Sequence, residues 1–205
     1  MDSRSNHVTE LQAAFPVSEE DLEQYLKHNR MTVNALCAAA ALMAIRAYEK
    51  KNDVLVSWAY HGRDDLLYNH SVATCLKDLP LAMSFDRIDS PMALITEVKS
   101  QIREGLAYLD DPYIPETTAV GVNDAFRIRS MGILQSERGI EGIPTERLRP
   151  VNKDRANTLM SMAITKNPEG KHILSLLYAD QRYRRQSAER FMELYRQCIL
   201  DLIRG

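Results

Sequence analysis

The chain has 205 residues, a length that suits a single globular domain. Its 26 Lys and Arg residues nearly balance its 28 Asp and Glu residues, and a formal net charge of -2 provides no basic surplus of the kind that nucleic-acid-binding domains use. Hydrophobic residues make up 45% of the chain and charged residues 26%, which is typical of a folded protein and argues against disorder.

The N-terminal part of the chain predicts a strand and two helices. His7–Phe15 is a strand-like run. Ser18 is placed to cap a helix over Glu19–Asn29, in a spacing that resembles a capping box. Thr32 is expected to cap a second helix, Val33–Lys50, which is apolar nearly all round. Such a helix is predicted to be sandwiched between layers.

Two strands and a third helix are predicted next. Val54–Tyr60 is rich in β-branched and aromatic residues. Leu79–Phe85 is a second strand, and its Pro80 favours a sheet edge or a strand start because proline donates no hydrogen bond. A Ser90-Pro91 pair then predicts the start of an amphipathic helix that runs to Leu109.

The C-terminal part predicts three strands and a closing helix. The strands are Phe126–Leu134, Thr158–Ile164 and His172–Tyr178, the last two joined by a hairpin turn at Lys166–Gly170, and the helix is Ser187–Ile203. Strands that alternate with helices indicate an α/β sandwich. The hairpin makes its sheet mixed.

Between these elements lies one long charged segment, Ser136–Arg155, with two Gly and two Pro. Its composition is that of a solvated surface loop. A loop of about twenty residues is nevertheless longer than compact domains normally contain, and such loops tend to be functional or to reach another body.

The three cysteines, Cys37, Cys75 and Cys198, are far apart and form no CxxC pair. We therefore expect neither a disulfide framework nor a zinc site, and a reducing cytoplasm fits best. The first residues lack the apolar core of a signal peptide. The most apolar run, Val33–Ala47, is shorter than a bilayer span of about 20 residues, so no membrane partner is expected.

The common phosphate-binding and hydrolase signatures, such as GxGxxG and GxSxG, are absent. The densest polar cluster is Tyr60–Asp65, directly after a predicted strand, where α/β folds often place ligand crevices. His61 with Asp64 or Asp65 suits an oriented base or a weak metal site. A strand-terminating turn with a solvated His61 and a paired Arg63 accounts for the same residues.

Several short segments occur in an order that points to one protein family. Asp53–Ser57 followed by Gly62-Arg63 resembles an "EDIVVGTPVAGR" strand, and Leu79–Leu81 resembles "NTLPLR". Phe126–Gln135 is similar to "LFQVMFVLQ", and Leu177-Tyr178 stands where "LEY" usually stands. Together these segments resemble the C-terminal lobe of a nonribosomal peptide synthetase condensation domain.

The resemblance implies a single lobe of a chloramphenicol-acetyltransferase-like α/β sandwich with a mixed sheet. Residues 1–205 would be the C-terminal subdomain. The catalytic motif of the family, His-His-x-x-x-Asp-Gly, belongs to the N-terminal lobe, and no His-His pair occurs in this sequence. The N-terminal catalytic lobe is therefore expected to be absent from this chain, which carries no catalytic residue and is inactive alone.

The resemblance also assigns roles to residues after the second predicted strand. Gly62 and Arg63 would lie at the lobe interface, where Arg63 pairs with the Asp of the catalytic motif. His61 and Asp64 would line the tunnel between the lobes. Ser136–Arg155 is a candidate for the segment that reaches across to the other lobe. No metal ligand is assigned.

The reaction implied is amide formation between a donor acyl thioester and an acceptor aminoacyl thioester. The expected partners are the N-terminal lobe and the donor and acceptor peptidyl carrier proteins, whose phosphopantetheine arms tether the substrates; no cofactor is expected to bind directly. Three alternatives remain open: the same lobe of an epimerisation domain or of a related O-acyltransferase, a non-catalytic module that docks a carrier protein, and a small enzyme that uses His61.

Overall fold

The computed structural model describes residues 8–60, 77–108, 126–129, 160–167 and 169–205. These ranges contain six strands and four α-helices. The strands are β1 (Val8–Ala14), β2 (Asp53–Tyr60), β3 (Lys77–Ser84), β4 (Phe126–Arg129), β5 (Met160–Lys166) and β6 (His172–Ala179). The helices are α1 (Glu19–His28), α2 (Val33–Glu49), α3 (Pro91–Ala107) and α4 (Arg185–Arg204).

The six strands form one mixed sheet in the order β1-β6-β5-β4-β2-β3. Strand β4 pairs in parallel with both β2 and β5, and the other three pairings are antiparallel. The predicted hairpin is confirmed, because Lys166 pairs with His172 and Gly170 adopts a φ of 80° in the turn. The edge position predicted from Pro80 is confirmed as well, since β3 is the last strand of the sheet.

The helices pack against one face of this sheet. Alternate residues along the strands point to that face and are buried, and they are Val54, Val56, Trp58, Leu81, Met83, Met160, Met162, Ile164, Leu174, Leu176 and Tyr178. They share one hydrophobic core with α2 and α4. The alternation of Met160 and Met162 therefore reflects sheet packing.

Helix α2 lies at the centre of the helical layer, against α3, α4 and β2. Its run Ala38–Ala41 is fully buried, because small side chains let the neighbouring elements approach closely. Helix α2 was predicted to be sandwiched between layers; it is enclosed by α3 and α4 within the helical layer and by β2 of the sheet.

The predicted helix starts are confirmed by hydrogen bonds. Ser18, Thr32 and Ser90 each accept one from the backbone N–H three residues later, at 3.1, 3.2 and 3.2 Å. Each such cap is worth about 1 kcal/mol of stability. These caps explain why a local pattern of residues was sufficient to place three of the helices.

Most predicted boundaries lie within two residues of the observed ones, and two of the differences have a clear physical reason. Phe85 begins a 3-10 turn instead of ending β3: the N–H of Ile88 donates to the Phe85 carbonyl (3.2 Å), and the Phe85 ring is buried beneath the guanidinium of Arg46. Helix α4 begins at Arg185, two residues before the predicted Ser187. An ion pair within its first turn, from Arg185 Nε to a glutamate four residues later (2.8 Å), supports the extra residues.

Helix α3 protects the exposed edge of β3. The side-chain amide of Gln101 accepts a hydrogen bond from the N–H of Ala82 (2.9 Å) and donates one to its carbonyl oxygen (2.6 Å), as a further strand would. Gly105 permits the close approach, because a Cβ at that position would lie 3.3 Å from Leu79 Cδ1. Unpaired edges invite aggregation, and this contact covers one.

None of the helices in the described ranges is by itself long and apolar enough to cross a membrane. Helices α1 and α2 together reach the required length and composition, but they are bent by 95° relative to each other.

Candidate functional site

The four residues to which the sequence assigned a role, His61, Gly62, Arg63 and Asp64, lie outside the described residues, as does the charged loop Ser136–Arg155. Their roles therefore stay predictions. The structure does describe the strand that leads to them, since β2 ends at residue 60.

A cavity of about 680 Å³ opens at this end of β2, between the start of α2 and the middle of α3. Three of its described lining residues are positively charged, namely Arg30, Lys99 and Arg103, and none of the described ones is Asp or Glu. The volume falls within the range of small-molecule sites, roughly 300–1,000 Å³. The charge of the lining favours an anionic occupant.

Trp58 forms part of the cavity wall and is only 5% exposed. Its indole Nε1–H is buried and has no hydrogen-bond acceptor among the described residues. An unpaired buried donor of this kind costs about 1–3 kcal/mol. The indole ring packs beside Tyr60, with 5.8 Å between the ring centroids, so the Trp58 side chain is held in place by its neighbours.

The N-terminus of α2 carries two N–H groups that are unpaired in the described part of the chain, one of which belongs to the lining residue Asn34. Thr32 satisfies the N–H groups of Ala35 through its side chain (3.2 Å) and of Leu36 through its carbonyl (3.2 Å). Within the described residues the N–H groups of Val33 and Asn34 have no acceptor. Because peptide dipoles add along a helix, this end of the 17-residue α2 carries a partial positive charge.

Two of the three cations at the rim of the cavity, Lys99 and Arg103, make local side-chain contacts. Lys99 Nζ donates a hydrogen bond to the carbonyl oxygen of Arg30 (3.1 Å), which joins α3 to the turn before α2. Arg103 Nη2 donates a long one to Ser100 Oγ (3.4 Å). No carboxylate in the described part of the chain forms an ion pair with Arg30, Lys99 or Arg103. Their charges are therefore available to a ligand.

These residues belong to no motif of the sequence. Trp58 is a buried strand residue, and its unpaired N–H depends on the tertiary structure. Lys99 and Arg103 carried a weaker signal, since residues four apart lie on one face of a helix. Arg30 joins them only because the turn before α2 packs beside α3.

A second polar contact outside the cavity has a structural role. Glu19 accepts hydrogen bonds from the backbone N–H of His172 (2.6 Å) and lies 2.6 Å from its ring Nδ1. Partial burial raises the pKa of Glu19, but the hydrogen bonds and charge of His172 outweigh it and hold the pKa below the ordinary value. The contact fastens α1 to the start of β6.

The described cysteines are not placed for nucleophilic chemistry. Burial raises the pKa of the Cys37 thiol to about 12 and that of Cys198 to about 11. A thiolate is the reactive form, and almost none exists at neutral pH for such groups. The described ranges also hold no cluster of three or more His, Cys, Asp or Glu side chains able to bind a metal ion.

The sequence matches no family model and no curated protein. Solved structures do match it. The epimerisation domain from the third module of tyrocidine synthetase B superimposes with a TM-score of 0.74 at 15% identity, over 100% of this chain and 50% of that one. The condensation domain from the monacolin K polyketide synthase does so with a TM-score of 0.73 at 15% identity, over 95% of this chain and 47% of that one.

A four-domain nonribosomal peptide synthetase, solved with AMP and glycine bound, also matches, with a TM-score of 0.78 at 14% identity. The match covers 98% of this chain and 17% of that much longer one. This chain has the fold of one lobe of a condensation or epimerisation domain. The predicted chloramphenicol-acetyltransferase-like α/β fold with a mixed sheet is thereby confirmed, and the chain spans about half the length of the isolated domains.

Proposed function

We propose that this chain forms the C-terminal lobe of a nonribosomal peptide synthetase condensation domain. The observation that carries the proposal is the match of 95–100% of this chain to about half of such domains. The C-terminal position is supported by the order of the family-like segments, from Asp53–Ser57 to Leu177-Tyr178.

In such a domain this lobe would form one wall of the tunnel in which an amide bond is made. The α-amine of the acceptor attacks the carbonyl carbon of the donor thioester. A C–N bond forms, the C–S bond breaks, the donor carrier leaves as a thiol, and the amine loses a proton. The second His of the motif on the other lobe would position the amine or accept its proton. Arg63 would support that motif from this lobe.

The proposed partners follow from this reaction. They are the N-terminal lobe and two peptidyl carrier proteins, whose phosphopantetheine arms deliver the thioesters, and the assembly would work in the cytoplasm. No cofactor would bind this lobe directly. His61 and Asp64 would line the tunnel, and the loop Ser136–Arg155 would reach the other lobe.

The upstream coding region provides the first test. It should encode a second lobe with His-His-x-x-x-Asp-Gly. The two-lobe protein should join a donor aminoacyl carrier to an acceptor aminoacyl carrier, as followed by mass spectrometry of the carriers. Replacement of the second His by Ala should abolish the product. An upstream region without this motif, or with an Asp-x-x-x-x-Asp version, would refute plain condensation.

The assigned role of Arg63 is tested in the same two-lobe protein. Arg63→Ala should slow condensation and lower the thermal unfolding midpoint of the two-lobe protein, because the Asp of the catalytic motif would lose the guanidinium with which it pairs. The matched control Arg190→Ala removes the same charge from an exposed position of α4 and should leave both unchanged. Equal effects of the two substitutions would contradict a role for Arg63 between lobes.

Epimerisation is the second candidate, because an epimerisation domain superimposes equally well. The two reactions differ at the α-carbon of the carrier-bound residue. Epimerisation removes and returns the α-proton and therefore incorporates deuterium from heavy water, whereas condensation makes a new amide and retains the proton. Deuterium uptake without amide product would favour epimerisation.

A non-catalytic docking role is tested with this chain alone. A phosphopantetheinylated carrier protein is titrated into the 15N-labelled chain, and the same carrier with its attachment Ser replaced by Ala serves as the control. Shifts around His61 or Ser136–Arg155 would support docking. The absence of any shift would exclude docking by the isolated lobe.

A further inference from the structure

We propose that the cavity at the end of β2 binds a small organic phosphate monoester, with the phosphate at its cationic rim and an aliphatic part against its apolar wall. This proposal does not depend on the condensation reaction, because every residue that carries it belongs to the lobe itself. It concerns a cavity within the helical layer, lined by α2, α3 and β2.

The charges of the rim come from two separate elements. Arg30 belongs to the turn before α2, whereas Lys99 and Arg103 belong to consecutive turns of α3, and the hydrogen bond from Lys99 to the Arg30 carbonyl joins the two. All three side chains are exposed and free of ion pairs with described carboxylates. Such a cluster, with no acidic residue among the described residues of the lining, attracts a multiply charged anion more strongly than a singly charged one.

Asn34 at the first turn of α2 lines the cavity, and its backbone N–H has no acceptor among the described residues. Helix N-termini bind phosphate in many proteins. The indole N–H of Trp58 is buried within the wall and does not open into the cavity, so the donors to the ligand are the Asn34 N–H and the three cations. A phosphate offers several acceptor oxygens, so it can satisfy donors from more than one direction.

The remaining wall is apolar. Met31, Ala35, Ile102 and Leu106 line the cavity and are also part of, or packed against, the hydrophobic core. Inorganic phosphate would leave this wall in contact with water. An aliphatic group attached to the phosphate would cover it, and each buried methylene is expected to improve the affinity roughly fourfold.

The protein contains a single tryptophan, Trp58, which serves as the reporter. Hexyl phosphate, inorganic phosphate, a phosphate diester of similar size and hexanol are titrated at constant ionic strength, and the tryptophan emission is recorded, with calorimetry as an independent readout. Hexyl phosphate should bind most tightly, inorganic phosphate and the diester more weakly, and hexanol not measurably.

The cations are tested by Arg103→Gln, with Arg190→Gln on the exposed face of α4 as the matched control. Both substitutions remove one positive charge from an exposed helical position, and circular dichroism verifies that both variants are folded. Arg103→Gln should weaken hexyl phosphate binding by at least about fivefold, because a charged hydrogen bond is lost. Arg190→Gln should bind as the unmodified chain does.

Two results would overturn the proposal. One is the absence of any emission change or heat with hexyl phosphate, and the other is an equal loss of affinity in Arg103→Gln and Arg190→Gln, which would indicate a general charge effect. Equal affinity for hexyl phosphate and hexanol would overturn the phosphate assignment as well. None of these results bears on the condensation activity, which is measured in the two-lobe protein.

Discussion

Replacement of Glu19 by Ala is expected to lower the free energy of unfolding by about 2 kcal/mol. Glu19 accepts one hydrogen bond from the backbone N–H of His172 and contacts its ring Nδ1, each at 2.6 Å, and the two side chains are 30% and 12% exposed. Each hydrogen bond to a carboxylate in a partly exposed position is worth about 1 kcal/mol. The deletion also leaves the part-buried N–H of His172 without its acceptor.

The assay is thermal unfolding followed by circular dichroism. In a chain of this size about 1 kcal/mol corresponds to roughly 2–4 °C, so Glu19→Ala should lower the midpoint by roughly 4–8 °C. Glu19→Gln retains one acceptor for the backbone N–H of His172 and should lower the midpoint by about half as much. The matched control is Glu20→Ala, the neighbouring residue in the first turn of α1, whose only described side-chain contact is a long hydrogen bond from Gln24 (3.4 Å).

The control isolates the contact with His172. Both substitutions remove one acidic residue from the N-terminal turn of α1, so any loss of favourable interaction with the helix dipole is common to both. Glu20→Ala should therefore shift the midpoint only slightly. A midpoint for Glu19→Ala no lower than that of Glu20→Ala would refute the reasoning.

The stability that Glu19 contributes should decrease as the pH falls. The folded state holds the pKa of Glu19 below its ordinary value of 4.5, so the unfolded chain binds the proton more tightly. The stability that Glu19 contributes is complete above the unfolded pKa and is lost as the pH falls through the folded one. The difference between the unmodified chain and Glu19→Gln should be constant near neutral pH and shrink in acid. A difference that grows in acid would contradict the assigned direction.

Three further predictions concern packing and reactivity. Gln101→Leu should expose the N–H and carbonyl of the β3 edge and promote concentration-dependent aggregation, measured by light scattering. Ala40→Leu should overpack the core and destabilise the chain by roughly 1–3 kcal/mol in denaturant unfolding, whereas Ala107→Leu at an exposed position should not. Cys37 and Cys198 should resist alkylation in the native protein and react on unfolding, as seen by peptide mass spectrometry.

Most of the secondary structure could be predicted because its signals are local. Ser18, Thr32 and Ser90 each satisfy a nearby backbone N–H, and that requirement is visible in a few residues of sequence. Boundaries that differ from the predicted ones can depend on partners that are distant in the sequence. Where β3 gives way to a 3-10 turn, the ring of Phe85 packs beneath the guanidinium of Arg46, which is far away in the sequence.

The order of the strands, unlike the helix caps, could not be predicted from short stretches of sequence. Strand β4 lies between β2 and β5, and its pairing with each crosses a long stretch of chain. The family resemblance implied a mixed sheet but no order of its strands. The cavity shows the same limit, since the approach of Arg30 to Lys99 and the unpaired Trp58 N–H arise only when α3 packs beside the turn before α2.

The residues that stabilise this lobe differ from the residues proposed to bind the phosphate ligand. The core is formed by side chains with essentially no exposure, such as Leu36, Phe191 and Met160, whereas the cationic rim of the cavity consists of exposed side chains that make few contacts. Substitutions at exposed positions without such contacts usually change stability by less than about 0.5 kcal/mol. A loss of ligand binding in Arg103→Gln can therefore be measured in a protein whose fold is unchanged. A loss of condensation in Arg63→Ala can be interpreted in the same way once its thermal midpoint as an isolated lobe is shown to be unaltered.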